Sequence, residues 1–98
     1  MRFEIIVAPE AADNFRRLTT ARIRAEVRDG IEEHLRHEPM KVSKSRIKRL
    51  RGVRKPQYRL RIDEVRVFYD VLDGEVHVLA IIPKSEAAEW LKEWGVPE

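Results

Sequence analysis

The chain has 98 residues, of which 43% are hydrophobic, so it is long enough to bury one core and too short for two ordinary domains. It contains no cysteine, which excludes disulfides, thiolate metal ligands and a cysteine nucleophile. Its apolar runs fall far short of the ~20 residues that span a bilayer, and no signal peptide opens the chain. We therefore expect a single cytoplasmic domain over residues 1–98 with no membrane contact.

Basic side chains are concentrated in residues 41–61, which we call the basic segment. The net charge is only +3, yet this segment contains ten Lys or Arg and no Asp or Glu, whereas the other 77 residues are more acidic than basic. Such a segment attracts a phosphate backbone through charge neutralisation and release of counterions. It predicts a nucleic-acid partner, and the alternative interpretation is a solvated basic surface.

The first half of the chain predicts one strand and two helices. Residues 2–8 are rich in β-branched and aromatic side chains, which indicates a strand that ends at Pro9. A first helix starts near Pro9, and Thr19 and Thr20 cap a second, longer one that Pro39 ends. The first half of the basic segment is predicted to be loop. The apolar stripes of the two helices are Ala12, Phe15 and Leu18, and then Ile23, Val27, Ile31 and Leu35.

The second half alternates between apolar and polar residues, as strands do. Residues 58–62 and 65–70 form two such runs, separated by Asp63-Glu64, and they predict an antiparallel pair. Asp73-Gly74 is a strong hairpin turn. It leads into a further strand over residues 75–83 that is apolar on both faces towards its end.

A last helix completes the order of elements. Ser85 is expected to cap this helix and Gly95 to end it. The order is then β-α-α-β-β-β-α. It predicts an α+β fold in which a helical hairpin packs on a twisted, mainly antiparallel four-stranded sheet.

The pair of strands around Asp63-Glu64 predicts a crowded patch of arginines. Any even-length loop centred there places Arg61 opposite Arg66 and Arg59 opposite Phe68, with the side chains on one face. Like charges across a sheet destabilise it, so an anionic ligand is the best explanation of the patch. The alternative interpretation is that the arginines line a solvated face of the sheet.

Two stretches of this region resemble the central motif of RelE/ParE toxins. They are residues 49–52 (RLRG) followed by 58–62 (YRLRI), and residues 65–69 (VRVFY). The likeness covers nearly the whole chain, because the element order, the turn at 73–74 and the AIIPK ending at 80–84 also match. The resemblance implies a cognate antitoxin that wraps the toxin and covers its basic face. It also implies that the complex represses its own operon, so that the chain meets operator DNA only through the antitoxin complex.

RelE-like members cut mRNA in the ribosomal A site by driving the ribose 2′-OH onto the neighbouring phosphate. The resemblance therefore implies a metal-independent endoribonuclease that uses no cofactor, has mRNA and the ribosome with its rRNA as partners, and inhibits translation. By position, Arg59 and Arg61 stand where lysines are typical, and Arg66 matches the arginine that holds the scissile phosphate. Lys84 is a further catalytic candidate that could stabilise phosphate. The predicted RNA-binding residues are Lys48, Arg49, Arg51, Arg54, Lys55 and Trp90.

The departures from the family pattern concern proton transfer. Arginine rarely loses its proton, so Arg59 and Arg61 are poor general bases. Many RelE-like toxins have a tyrosine in the last helix, where this chain has Trp90, and an aromatic residue there more often packs on the sheet than stacks on a base. The general base and acid stay unassigned, and His77, expected opposite Asp70, is a candidate acid outside the main set.

Two other functions remain open. The ParE-like branch shares the fold, lacks the RNA-cutting residues and poisons DNA gyrase. A non-catalytic basic module would hold nucleic acid or an acidic antitoxin helix, and it would lose affinity steeply with salt without cutting RNA. The three histidines have no carboxylate or thiol partner at ligand spacing, so no metal site is predicted.

Overall fold

The computed structural model describes all 98 residues, which form three helices and seven strands. The helices are α1 (Pro9–Arg16), α2 (Ala21–Leu35) and α3 (Lys84–Trp94). The strands are β1 (Glu4–Val7), β2 (Ile47–Arg49), β3 (Val53–Lys55), β4 (Tyr58–Ile62), β5 (Val65–Leu72), β6 (Glu75–Pro83) and β7 (Val96–Pro97). None of the helices combines the length and the apolar character needed to cross a membrane.

Five of the strands form one sheet in the order β1-β6-β5-β4-β2. β1 runs parallel to β6 and the other pairs are antiparallel, so the predicted α+β fold with a mainly antiparallel sheet is confirmed. The sheet has one strand more than predicted, because part of the expected loop forms β2. Ile47, in the first half of the basic segment, is only 4% exposed, and the short strand around it pairs with β4.

The larger core lies between this sheet and the hairpin of α1 and α2. Val27, Ile31 and Leu35 are buried there, as the helical stripe predicts. Thr20 caps α2, since its hydroxyl accepts a hydrogen bond from the Ile23 N–H at 3.1 Å.

α1 starts at Pro9 and α3 ends before Gly95, as predicted, but the boundaries assigned to Pro39 and Ser85 were wrong. α2 ends at Leu35, before Pro39, where the Arg36 carbonyl instead accepts the N–H of Phe3 at 2.7 Å. Ser85 lies inside the first turn of α3 and does not cap it. The N–H of Lys84, the first residue of α3, donates to the Glu64 carbonyl at 2.7 Å, so the β4–β5 connection satisfies one of the free amides at the start of the helix.

Both hairpin turns use residues with positive φ. Asp73 and Gly74 adopt φ values of 51° and 76°, the conformation that a two-residue type I′ turn requires. Asp63 adopts 52°, which a short polar side chain tolerates better than most. Asp63-Glu64 therefore closes a two-residue connection, and the predicted register of β4 and β5 is confirmed.

A small second sheet, which the sequence did not predict, joins the basic segment to the end of the chain. β3 pairs antiparallel with β7, and the Glu98 N–H donates to the Gly52 carbonyl at 3.3 Å. Gly52 has a φ of 73°, which allows the chain to turn between β2 and β3. The second half of the basic segment is thereby held close to the end of α3.

Tyr69 links the sheet to the connection after α2, and we expect Tyr69→Phe to destabilise the protein by about 1–2 kcal/mol at neutral pH. Its hydroxyl is buried and donates to the Pro39 carbonyl at 2.6 Å, and the substitution leaves that carbonyl unpaired. Burial raises the pKa of Tyr69, and nearby Tyr58 adds to this shift.

The raised pKa gives this prediction a pH dependence. Ionisation of Tyr69 is easier in the unfolded chain, so its contribution to stability is present below the unfolded pKa, near 10, and is lost as the pH rises. Urea unfolding of both proteins at pH 7 and at pH 11 measures this. The deficit of Tyr69→Phe should shrink at the higher pH, and an unchanged deficit contradicts the role assigned to the hydroxyl.

Candidate nucleic-acid interface

The face of the sheet opposite α1 and α2 carries three arginines on two adjacent strands. Arg61 pairs with Arg66, and Arg59 pairs with Phe68, as the alternation predicted. The apolar residues between them face the larger core, which forces the arginines onto the other side. We call Arg59, Arg61 and Arg66 the arginine cluster.

Arg66 is held by the turn between β4 and β5. It is 7% exposed, and its Nη1 donates to the carbonyls of Asp63 at 2.8 Å and Val65 at 3.1 Å. Its Nε and Nη2 make no hydrogen bond within the chain. These two atoms form the edge of a guanidinium that binds two phosphate oxygens side by side, so the anchored side chain keeps its bidentate edge unused.

Arg59 has an unsatisfied donor. Its Nε is buried without a hydrogen-bond partner. Burial lowers the pKa of Arg59, and the charges of Arg66 and Arg61 lower it further. The pKa of Arg66 is also lowered, by burial and then by Arg61, while Glu64 opposes the shift. The positive charge of both guanidinium groups is thus less favourable in the free protein than in water. A bound anion offsets this electrostatic cost.

Further basic residues surround the cluster. Lys48 pairs with Arg59 across β2 and β4, so it lies on the same face. Lys84 lies at the other end, where its N–H bonds to Glu64. Arg46 was missed by the sequence prediction: its carbonyl accepts the Arg61 N–H at 2.8 Å, and its Nη1 donates to the Arg61 carbonyl at 3.1 Å. Only the pairing of β2 with β4 would have identified Arg46, and the sequence prediction placed a loop there.

α3 covers the part of this face next to the cluster. Phe68, Ala80 and Ile82 form a smaller core under it. The Trp90 ring stacks on Phe68, with centroids 5.1 Å apart and an angle of 10° between the planes. One face of the indole is therefore used for packing, and only its other face and edges can meet a ligand.

The remaining predicted RNA-binding residues do not lie with the cluster. Arg49 is on the opposite face of the sheet, with its guanidinium 5.1 Å from the centroid of the Tyr58 ring. Arg51 and Arg54 are exposed on the segment that leads into and forms β3. Lys55 lines a separate cleft beside α3. The basic segment is thus divided among three surfaces.

His77 lies opposite Asp70, as predicted, but it is engaged elsewhere. Its Nε2 is 3.0 Å from Glu75 Oε1 on the same strand. Asp70 in turn accepts the N–H of Gln57 at 2.7 Å. No group of three or more His, Asp or Glu side chains is arranged to hold a metal ion.

Comparison with known proteins identifies the family. The family model of the ParE toxin of type II toxin-antitoxin systems matches residues 5–88, which include the arginine cluster and the first turn of α3. The chain belongs to this ParE toxin family. The resemblance to RelE/ParE toxins is thereby confirmed, and this ParE-family protein is the toxin component of a type II toxin-antitoxin system with an antitoxin as its partner.

Several solved structures share the fold of this ParE-family toxin. One is a RelE–RelB complex from Pyrococcus horikoshii, 26% identical over 86% of this chain and 97% of that one, with a TM-score of 0.60. Another is an Escherichia coli RelE variant in the free state, which is 24% identical over 95% of this chain and 94% of that one, with a TM-score of 0.68. A third is the RelBE2 complex of Mycobacterium tuberculosis, which is 22% identical over 85% of this chain and 99% of that one, with a TM-score of 0.64. No curated protein matches this chain.

Proposed function

We propose that this toxin is a ribosome-dependent endoribonuclease that cleaves mRNA in the A site and so stops translation in the cytoplasm. The observation that carries the proposal is the arginine cluster. It combines an anchored Arg66 with an unused bidentate edge and an Arg59 with a buried, unpartnered Nε. A protein surface that only needs to stay solvated has no reason to bury a guanidinium Nε without a partner, as it does in Arg59.

The proposed reaction is attack of the ribose 2′-oxygen on the adjacent phosphorus. A bond from phosphorus to the 2′-oxygen forms and the bond to the 5′-oxygen breaks, which leaves a 2′,3′-cyclic phosphate and a 5′-hydroxyl. The proton of the 2′-OH leaves during attack, and the departing 5′-oxygen gains one. The intermediate carries more negative charge on its phosphate oxygens than the substrate does, so preorganised cations accelerate the step.

Each basic residue has a distinct place in this proposal. Arg66 binds two non-bridging oxygens through Nε and Nη2, because Nη1 is committed to the turn. Arg59 donates its buried Nε–H to the same phosphate. Exposed Arg61 and Lys84 contact the charge that develops around the reacting phosphate, and Lys48 and Arg46 bind the flanking backbone. Guanidinium groups remain protonated at neutral pH, so their role is charge stabilisation and not proton transfer.

Inhibition of DNA gyrase is the second candidate function. Two observations favour it: the matching family model is the one named for ParE, and the cluster consists of guanidinium groups, which are poor general bases and acids. Binding to a protein target leaves the buried, unsatisfied Nε of Arg59 and the unused bidentate edge of Arg66 unexplained, and for this reason we prefer the nuclease.

Primer extension on a defined mRNA in a purified translation system tests the proposal. We expect new 5′ ends at A-site codons with wild-type protein and ribosomes, and none without ribosomes. Salt-sensitive RNA binding without new ends contradicts cleavage and supports a non-catalytic module. Intact mRNA together with loss of supercoiling by purified gyrase supports the second candidate.

A further inference from the structure

A cleft on the far side of α3 from the arginine cluster has no role in the function proposed above. Its volume is about 520 Å³, within the range of small-molecule sites, which is about 300–1,000 Å³. Trp90, Trp94 and Leu79 supply apolar surface, and Glu10, Asn14 and Lys55 supply polar groups. The residues come from both ends of the chain, from α1, β6, β3 and α3, so the cleft exists only in the folded molecule.

Trp94 is the most unusual residue of this cleft. Its side chain is 64% exposed, although an indole is among the largest apolar groups a protein can bury. The backbone beside it is held in place, because the Gly95 N–H donates to the Leu91 carbonyl at 2.8 Å and Val96 pairs with Lys55 in the small sheet. An exposed aromatic face on a backbone that is held in place is a platform on which a planar ligand stacks.

The polar groups offer both kinds of hydrogen bond. Glu10 is exposed and supplies a carboxylate, which only accepts when ionised. Lys55 supplies an ammonium group, which only donates. The side-chain Oδ1 of Asn14 already accepts the Ile81 N–H at 3.1 Å, so the side-chain NH₂ of Asn14 remains free to donate. A matching ligand is flat and presents donors on one part of its edge and acceptors on another.

We propose that this cleft binds a guanine base of single-stranded RNA. Guanine presents its N1–H and N2–H₂ donors side by side, which suits the Glu10 carboxylate, while its O6 and N7 accept from Lys55 or Asn14. Adenine and the pyrimidines lack this pair of adjacent donors. The choice of RNA as the ligand rests on the proposed RNA cleavage, whereas the shape of the cleft and the chemistry of its lining are independent of that proposal.

Trp90 connects this cleft to the arginine cluster. It lines the cleft and stacks on Phe68, which pairs with Arg59. A strand whose phosphate lies on the cluster therefore passes a neighbouring base around α3 towards Trp94. The cleft is placed to select a base close to the cleaved bond, and it gives the nuclease a sequence preference that the arginines, which contact phosphate, do not provide.

Fluorescence anisotropy of labelled RNA tetranucleotides tests this inference with the full chain. The RNAs carry 2′-O-methyl groups, which block cleavage, so binding is measured even if the protein is no nuclease. We expect an RNA with guanine to bind several-fold tighter than the same RNA with inosine, which lacks the N2 amino group. Trp94→Leu should weaken binding of the guanine RNA on the order of tenfold, and Glu10→Gln should abolish the preference over inosine.

Matched substitutions exclude general effects. Leu72 is 61% exposed and lies at the β5–β6 connection, so Leu72→Ala removes a similar exposed apolar group without touching the cleft, and it should bind as wild type does. Glu33→Gln provides the same control for the loss of an acidic charge. Equal affinity for guanine and inosine, or wild-type affinity in Trp94→Leu, overturns the inference. Failure of the nuclease proposal alone gives a different result, namely guanine-selective binding without new mRNA ends.

Discussion

Arg66→Ala is expected to reduce the rate of A-site cleavage about 100- to 1,000-fold, which corresponds to ~3–4 kcal/mol of transition-state stabilisation. The reason is geometric. Two carbonyl contacts hold Nη1, so Nε and Nη2 need no reorganisation when charge develops on the phosphate. Single-turnover cleavage on programmed ribosomes measures the chemical step directly and separates it from binding.

Arg66→Lys is the informative companion to this substitution. Lysine keeps the charge and a long stem, but one ammonium cannot hold the Asp63 and Val65 carbonyls and also bind two phosphate oxygens. We expect its rate to stay well below wild type, with mRNA binding reduced less than the rate. Thermal unfolding of both variants checks that the β4–β5 turn is intact. Wild-type cleavage by Arg66→Lys contradicts the bidentate role and reduces Arg66 to a source of positive charge.

Arg59→Met is expected to stabilise the free protein while it impairs the toxin. Methionine has a similar length and no charge, so it removes a buried, unpartnered Nε and the repulsion from Arg61 and Arg66. Replacement of an uncompensated buried charge by an apolar side chain should raise the free energy of unfolding on the order of 1 kcal/mol. The same change removes a donor from the proposed phosphate site, so cleavage should fall at least tenfold.

Arg61→Met is the matched control on the same strand. Arg61 is exposed, so its replacement removes the repulsion between like charges but no buried polar group. The gain in the free energy of unfolding should therefore be smaller than for Arg59→Met. Urea unfolding at low and high salt distinguishes the two, because salt screens the repulsion and leaves the burial term. If Arg59→Met destabilises the protein, the arginine is a structural residue and the argument for a preformed anion site fails.

Such a conflict between stability and ligand binding is typical of functional surfaces. The cluster places three like charges on two adjacent strands, and no acidic side chain forms a salt bridge with any of them. An anionic ligand is therefore favoured by the removal of an existing cost as well as by new contacts. The same reasoning predicts that acidic side chains of the antitoxin are effective competitors for this face.

Local rules accounted for most of the fold and for the centre of the site. Asp73-Gly74 is the sequence of a two-residue turn, and the alternating runs around residues 63 and 64 leave only one face for the arginines once the apolar residues are buried. The register that joins Arg61 to Arg66 follows from these short-range constraints. The stripe on α2 and its Thr20 cap are likewise set by residues three or four positions apart.

The sequence alone thus determined the fold class, the hairpin registers and the arginine cluster, whereas only the tertiary structure decided how the basic segment is divided. A three-residue strand such as β2 or β3 has too few contacts to form without a partner strand. β2 pairs with β4, and β3 pairs with β7 at the end of the chain, and no local pattern in the sequence announces either pairing. Those pairings put Lys48 and Arg46 beside the cluster, Arg49 on the opposite face and Lys55 in the Trp94 cleft. Charge composition predicts a polyanionic partner, whereas the direction of the basic side chains, which depends on long-range strand pairing, decides which surface could meet it.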